Sequence, residues 1–336
     1  MGDLTVNVGA TTFMCILYVS LGTLSIICNS FNLLIWLSDQ HLRQKYIYLM
    51  ALDAGELVNG ISYVLVGTGR GTALIGGYLS QPITVRACFF DKYWPHSLIL
   101  GTELPSFGII LISCERLCAV LRPAAYNRIF MGKFKVALLL TVPLAGIMRG
   151  TKVSRQFQIS VAIAGLSTLG DAGDLIAATQ HCAIIASTAI WYSTFHFVFI
   201  VFAYVISFIS IFVVWRISSK FARGRVGKDN RLGIMLLITG SSIILVASES
   251  IVMLFIRWNV CTFSDLVVAL TYAMPGFLSI FNTIINILFR PEFRRQFFTI
   301  IGARDPSLAV QTTWVNPIQS KMPLTTTSSR TRTKMR

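Results

Sequence analysis

Long apolar runs separated by short basic stretches set the pattern of this chain. A helix needs about 20 mostly apolar residues to cross a bilayer. The runs at 12–37, 46–66, 93–120, 190–216, 232–256 and 265–288 all reach that length. A shorter run at 133–148, with Pro143 inside it, is read as one more span. These runs predict an all-α membrane protein, a seven-transmembrane helix bundle. Residues 67–90 read as the first outer loop, because Gly69, Gly71, Gly76 and Gly77 supply turns. Residues 150–189 read as a long second outer loop, although 159–178 is mildly apolar and is broken by Asp171 and Asp174. Were that run a span too, the count would be eight and the basic tail would lie outside, against the charge bias.

Composition agrees with the pattern. Hydrophobic residues make up 54% of the chain and charged residues only 13%, too little charge for the surface of a soluble protein this size. The net charge of +15 sits in a few loops and the tail, with Arg216, Lys220, Arg223, Arg225, Lys228 and Arg231 crowded around a single Asp229. Cytoplasmic loops of membrane proteins carry such an excess, so topology accounts for the charge and nucleic acid is excluded as a partner. The expected organisation is an extracellular N-terminus at 1–11, a membrane domain at 12–302 and a disordered cytoplasmic tail at 303–336, rich in Pro, Ser and Thr. Within that tail 325–329 offers five hydroxyls for phosphorylation. The first run is longer than a signal-peptide core and reads as a retained helix. No Asn-x-Ser/Thr sequon occurs.

Polar residues inside the spans are the candidate chemistry, since an ionisable group there is costly unless it has a task. Asn29 and Asn32 lie in the first run, Asp53 and Glu56 in the second, Glu103 in the third, His196 in the fifth and Glu249 in the sixth. The asparagines serve as interhelical glue or in signalling. Glu103 stands thirteen residues before Arg116, about 20 Å along a helix. It touches a cationic or polar ligand, or bonds a neighbouring helix. His196, among aromatics, is a packing residue or a ligand contact. Of seven cysteines, Cys88, Cys182 and Cys261 fall at or beyond the outer boundary, where a disulfide persists. No Cys or His spacing suggests a metal and no motif calls for a cofactor. No phosphate loop or catalytic triad order is present, so an enzyme is not expected. A transporter of cations or small solutes is the alternative that the intramembrane acids support, but no internal repeat accompanies them.

The third run ends in Glu115-Arg116-Leu-x-Ala-Val-x-x-Pro123-x-x-Tyr126. This resembles the signature that closes the third transmembrane helix of rhodopsin-like G-protein-coupled receptors. Asp53 resembles the acidic residue of their second helix, which joins a sodium and water network; Asn29 lies closer to it in the chain than the family's first-helix asparagine does, which leaves its first-helix partner open. Asn282-Thr-x-x-Asn286 followed by Pro291-Glu-Phe-Arg is similar to the family's N-P-x-x-Y and the boundary beyond it, with Thr283 in place of the proline. Phe289, Phe293 and Phe297 alternate with Arg290, Arg294 and Arg295 in a basic amphipathic helix suited to an anionic leaflet. That helix resembles the family's short eighth helix, without a following cysteine for palmitate.

The departures are the missing tryptophan of helix 4, proline of helix 5 and Cys-Trp-x-Pro of helix 6. Such a mixture resembles the nematode serpentine chemoreceptors. The resemblance implies a plasma-membrane receptor with its N-terminus outside. It implies a disulfide between Cys88 and Cys182, an extracellular small-molecule or peptide ligand held among the upper helices, membrane lipid contacts, and a heterotrimeric G protein met by Arg116. Leu98 occupies the position where amine receptors carry an aspartate, which disfavours a biogenic amine. Glu103, His196 and Glu249 complete the candidate pocket.

Overall fold

The computed structural model describes residues 8–130, 163–177, 179–221, 231–261, 263 and 265–303. The predicted span at 133–148, most of the basic third inner loop and the tail from 304 onward lie outside the described residues, as do residues 1–7. In chain order the helices are α1 (Val8–Ser38), α2 (Gln40–Lys45), α3 (Ile47–Ile75), α4 (Val85–Phe90), α5 (Trp94–Leu121), α6 (Pro123–Ile129), α7 (Ile184–Ser187), α8 (Ile190–Phe221), α9 (Arg231–Ser242), α10 (Ser248–Arg257), α11 (Asp265–Phe289) and α12 (Pro291–Ile301). A π-helical turn, Ile243–Ala247, joins α9 to α10 without a break. Residues 163–167 are helical and run into a second π-turn, Thr168–Ala172.

Six helices among the described residues are long and apolar enough to cross a membrane: α1, α3, α5, α8, the joined α9–α10, and α11. Their surfaces say what surrounds them. On α8, Phe195, Phe202 and Ile209 are exposed at seven-residue steps, while Tyr192, His196, Ile200 and Tyr204 face inward. Across the bundle the exposed face is apolar, and buried positions include Asn29, Asp53, Glu56, Glu103 and Glu249. A continuous apolar exterior around a polar interior suits hydrocarbon rather than water. The chain is an all-α, multi-pass membrane protein.

α1 packs along α3 and α11, α3 along α5, and α5 along α8, which in turn meets α9 and α10. Small residues set the closest approaches. A Cβ on Gly67 would stand 2.9 Å from the Cys15 carbonyl oxygen, and one on Gly69 would stand 2.4 Å from the Trp94 ring. This corrects the expected first outer loop. α3 continues to Ile75, so Gly67, Gly69 and Gly71 are helical, and only Gly76 and Gly77 make the turn. The glycines that read as loop breakers are contact points for α1 and α5. α1 likewise begins one turn before the predicted residue 12.

Two buried apolar clusters divide the bundle along its length. One contains Tyr18, Tyr63, Trp94, Leu98, Met253 and the Cys88–Cys182 bridge. The other holds Tyr48, Leu52, Ile109, Ile112, Tyr204 and Met235. The bundle thus has a disulfide end and, where α5 turns into α6, an arginine end.

Candidate functional site

At the disulfide end the chain from 163 to 189 folds over the helices as a cap. Its Ile176–Ala177 strand, β2, pairs antiparallel with β1 (Ile83–Thr84), Ile83 opposite Ala177 and Thr84 opposite Ile176. α4 carries Cys88, and residues 91–93 separate it from α5. Cys182 closes the bond to Cys88, with Cα atoms 5.4 Å apart. Two arginines also grip the cap by its backbone. Arg70 Nε donates to the His181 carbonyl at 2.9 Å, joined by Trp94 Nε1 at 3.3 Å. Arg257 donates to the carbonyls of Ile185 at 2.6 Å and Thr188 at 3.3 Å. Arg70 was hidden from sequence reasoning by the glycines around it.

Below the cap, Glu103 and His196 meet. His196 Nδ1 lies 3.0 Å from Glu103 Oε1, and its Nε2 lies 3.1 Å from Thr102 Oγ1. The Tyr192 hydroxyl donates to the same Glu103 oxygen at 3.4 Å. The site ties α5 to α8, so of the two readings open for Glu103 the geometry realises the bond to a neighbouring helix. Leu98, one turn and a residue earlier on α5, is buried in the apolar cluster. Glu249 is buried on α10, apart from this pair, and has no hydrogen bond or ion pair among the described residues.

The middle of the bundle holds a polar layer. Asn29 donates to the Ser25 carbonyl at 3.0 Å and to Ser279 Oγ at 2.9 Å; Ser279 donates to Glu56 Oε2 at 3.3 Å. This links α1, α3 and α11. Asn29 and Asp53 do not bond each other. Asp53 accepts from Trp36 Nε1 at 2.8 Å, with the Asn32 amide beside it. A tryptophan two turns beyond Asn29 on α1 is the residue that bonds Asp53. Asn282 and Asn286 are buried on α11 with unpaired side-chain oxygens.

At the arginine end, Glu115 is buried and Arg116 is one-third exposed. Arg116 Nε stands 3.6 Å from Glu115 Oε2, an ion pair too long to be a hydrogen bond. Pro123 opens α6, and that helix brings Tyr126 back beneath the pair. Burial, then the neighbouring Glu115 carboxylate, raises the Tyr126 hydroxyl above its ordinary range. On the other side of the bundle, Lys45 pairs with Glu292 at 2.7 Å and Tyr46 donates to the same carboxylate at 2.8 Å, fastening α12 to the α1–α3 connection. Arg290 is buried over the rings of Trp36 and Tyr46, at 5.7 and 5.5 Å from their centroids. Phe293 packs against Trp36. Among the described residues no group of His, Cys, Asp and Glu could hold a metal ion. No family model and no curated protein matches this chain.

Proposed function

We propose that the chain is a seven-transmembrane receptor that couples an extracellular ligand to a heterotrimeric G protein, a divergent relative of the rhodopsin-like family, with chemosensing as its most economical use. The observation that carries the reading is the Glu115–Arg116 pair. A buried acid holds a half-emerged arginine by charge alone, at the end of a long span and above a tyrosine returned by a proline-opened turn. On this reading the arginine end faces the cytoplasm, the seventh span is the run at 133–148, and α12 is the eighth helix. It lies along the inner leaflet with its arginines toward lipid phosphate.

Ligand binding at the disulfide end favours one of two helix arrangements by its differential affinity for them. In the favoured arrangement α9 and α10 swing from α5, Arg116 leaves Glu115, and the freed guanidinium meets the α-subunit. The π-turn at Ile243–Ala247 stands in place of the missing Cys-Trp-x-Pro as the point where the sixth span yields. The transporter alternative draws on the same buried acids. Three of them, Asp53, Glu56 and Glu103, are engaged by protein donors from neighbouring positions, which suits fixed structure better than a pathway.

The test is nucleotide exchange on a panel of purified G-protein α subunits, with the full chain in vesicles. It is driven by basal activity and by a screen of volatile, soluble and peptide compounds. Exchange is expected for the native chain and lost in Arg116→Ala at unchanged surface expression. Normal exchange in that variant, or compound-dependent uptake or current without any G protein, overturns the reading.

A further inference from the structure

Four helices, α1, α3, α10 and α11, bring side chains together beneath the cap. Arg70 of α3 is 3% exposed, and its guanidinium stands 5.8 Å from the centroid of the Tyr18 ring of α1. Tyr18 lies 5.6 Å from Tyr63 of α3 and 6.4 Å from Tyr272 of α11, ring to ring. The Tyr63 hydroxyl donates to the Tyr272 carbonyl at 2.6 Å. The Tyr18 hydroxyl is buried beside the Arg70 guanidinium, and the buried Tyr272 hydroxyl makes no hydrogen bond among the described residues. Glu249 of α10 is 5% exposed and within electrostatic reach of these three tyrosines. Met253, one turn on and on the same helix face, packs into the cluster with Tyr18 and Tyr63.

This is an unusual balance of charge. A cation and an anion are both buried within electrostatic reach of Tyr18 and Tyr272, yet they form no ion pair with each other or with any described residue. Arg70 uses Nε on the His181 carbonyl, which holds the guanidinium in place without neutralising it. Glu249 lacks even a neutral donor. Buried charges of this kind are costly when left uncompensated, and the Tyr272 hydroxyl without a partner adds to the cost. Two opposite charges set apart by polar hydroxyls match a molecule that carries both signs. The Glu103–His196 site offers the contrast, because its acid, imidazole and hydroxyls already satisfy one another.

On the receptor reading, we propose that Arg70 and Glu249 bind a small zwitterion, with its carboxylate on Arg70, its ammonium on Glu249 and its body against the three tyrosine rings. Aromatic faces favour the cationic group as well. The tyrosine hydroxyls of residues 18 and 272 supply the remaining hydrogen bonds.

The experiment uses the full chain in phosphatidylcholine nanodiscs. The probes are unbranched ω-amino acids from glycine to 6-aminohexanoate, because the series scans the distance between the two charges. Butyrate and butylamine are single-charge controls. At least one member is expected to raise the thermal midpoint of the native chain while neither control does. Arg70→Gln and Glu249→Gln are each expected to weaken that member by about tenfold or more, and Tyr18→Phe by several-fold, on the scale of about 1.4 kcal/mol per decade. If Arg70→Gln fails to fold for want of its cap contact, Glu249→Gln and Tyr272→Phe decide, since neither side chain hydrogen-bonds to the cap among the described residues. The proposal is overturned if no member shifts the midpoint, if butyrate alone matches the best amino acid, or if the charge variants bind as the native chain does. Arg116-dependent exchange without zwitterion binding sinks this assignment alone. Zwitterion binding without such exchange sinks the receptor reading and keeps the site.

Discussion

The two ends of the bundle are built on opposite plans. At the disulfide end, a covalent bond, a two-strand pairing and arginine donors from two different helices fix the cap to the helices beneath it. At the arginine end, the central charge pair is long and Arg116 reaches solvent. Among the described residues the tight ion pair there, Lys45 with Glu292, joins α2 to α12 and leaves α5 untouched. Rigidity at one end and looseness at the other is the arrangement expected where a shape change is to be read out on the loose side. Local stability is unevenly distributed in proteins, and moving parts come from the weaker regions.

The contrast makes graded predictions. Cys88→Ser and Cys182→Ser should each lower stability by about 4 kcal/mol, the scale for bridges closing long loops. Because the two share one bond, the double variant should be no worse than either single one. Thermal midpoints in detergent and cell-surface delivery check this, and additive losses would show that each cysteine acts by itself.

His196→Ala removes the 3.0 Å contact between the imidazole and Glu103, and the Tyr192 hydroxyl stands farther off at 3.4 Å. Breaking a buried pair in this way should cost about 3 kcal/mol. His196→Gln, which can still donate, should recover a good part of the midpoint. Equal losses in the two variants would mean that ring packing rather than the hydrogen bond matters at residue 196.

Lys45→Ala should be the mildest, at or below about 1 kcal/mol, because both partners are about one-third exposed and the pair is screened. Raising salt from 50 mM to 1 M should shrink the difference between Lys45→Ala and the native chain. A loss as large as that of the cysteine variants would end the distinction between a fixed and a loose end.

Much of the architecture was legible because hydrocarbon imposes a simple rule on span length. The apolar runs mark five of the six described spans to within about a turn at either end, and the second to within one end. That second helix misled because glycine has two uses. In water-exposed chain it makes turns, and in a membrane bundle it lets helices touch. Gly69 against Trp94 belongs to the second use, and the turn reading concealed Arg70 at the next position. Contacts across helices were less accessible still. Which inward residue meets which depends on the rotation of each helix about its axis. Nothing in the local spacing says that Glu103 faces His196, or that Trp36 rather than Asn29 reaches Asp53. The Glu115–Arg116 pair stood out early because adjacent residues need no such knowledge.

The π-turn at Ile243–Ala247 has a consequence for how the α9–α10 span came to point as it does. A widened turn accommodates one residue more than an α-turn, and each residue advances a helix by about 100°. Remove one residue there, and everything beyond rotates by that angle. Glu249 would leave the tyrosines and swing toward the acyl chains, and Met253 would follow. The inward aim of a single acid therefore rests on an insertion upstream of it, so this stretch tolerates substitution far better than a change in length.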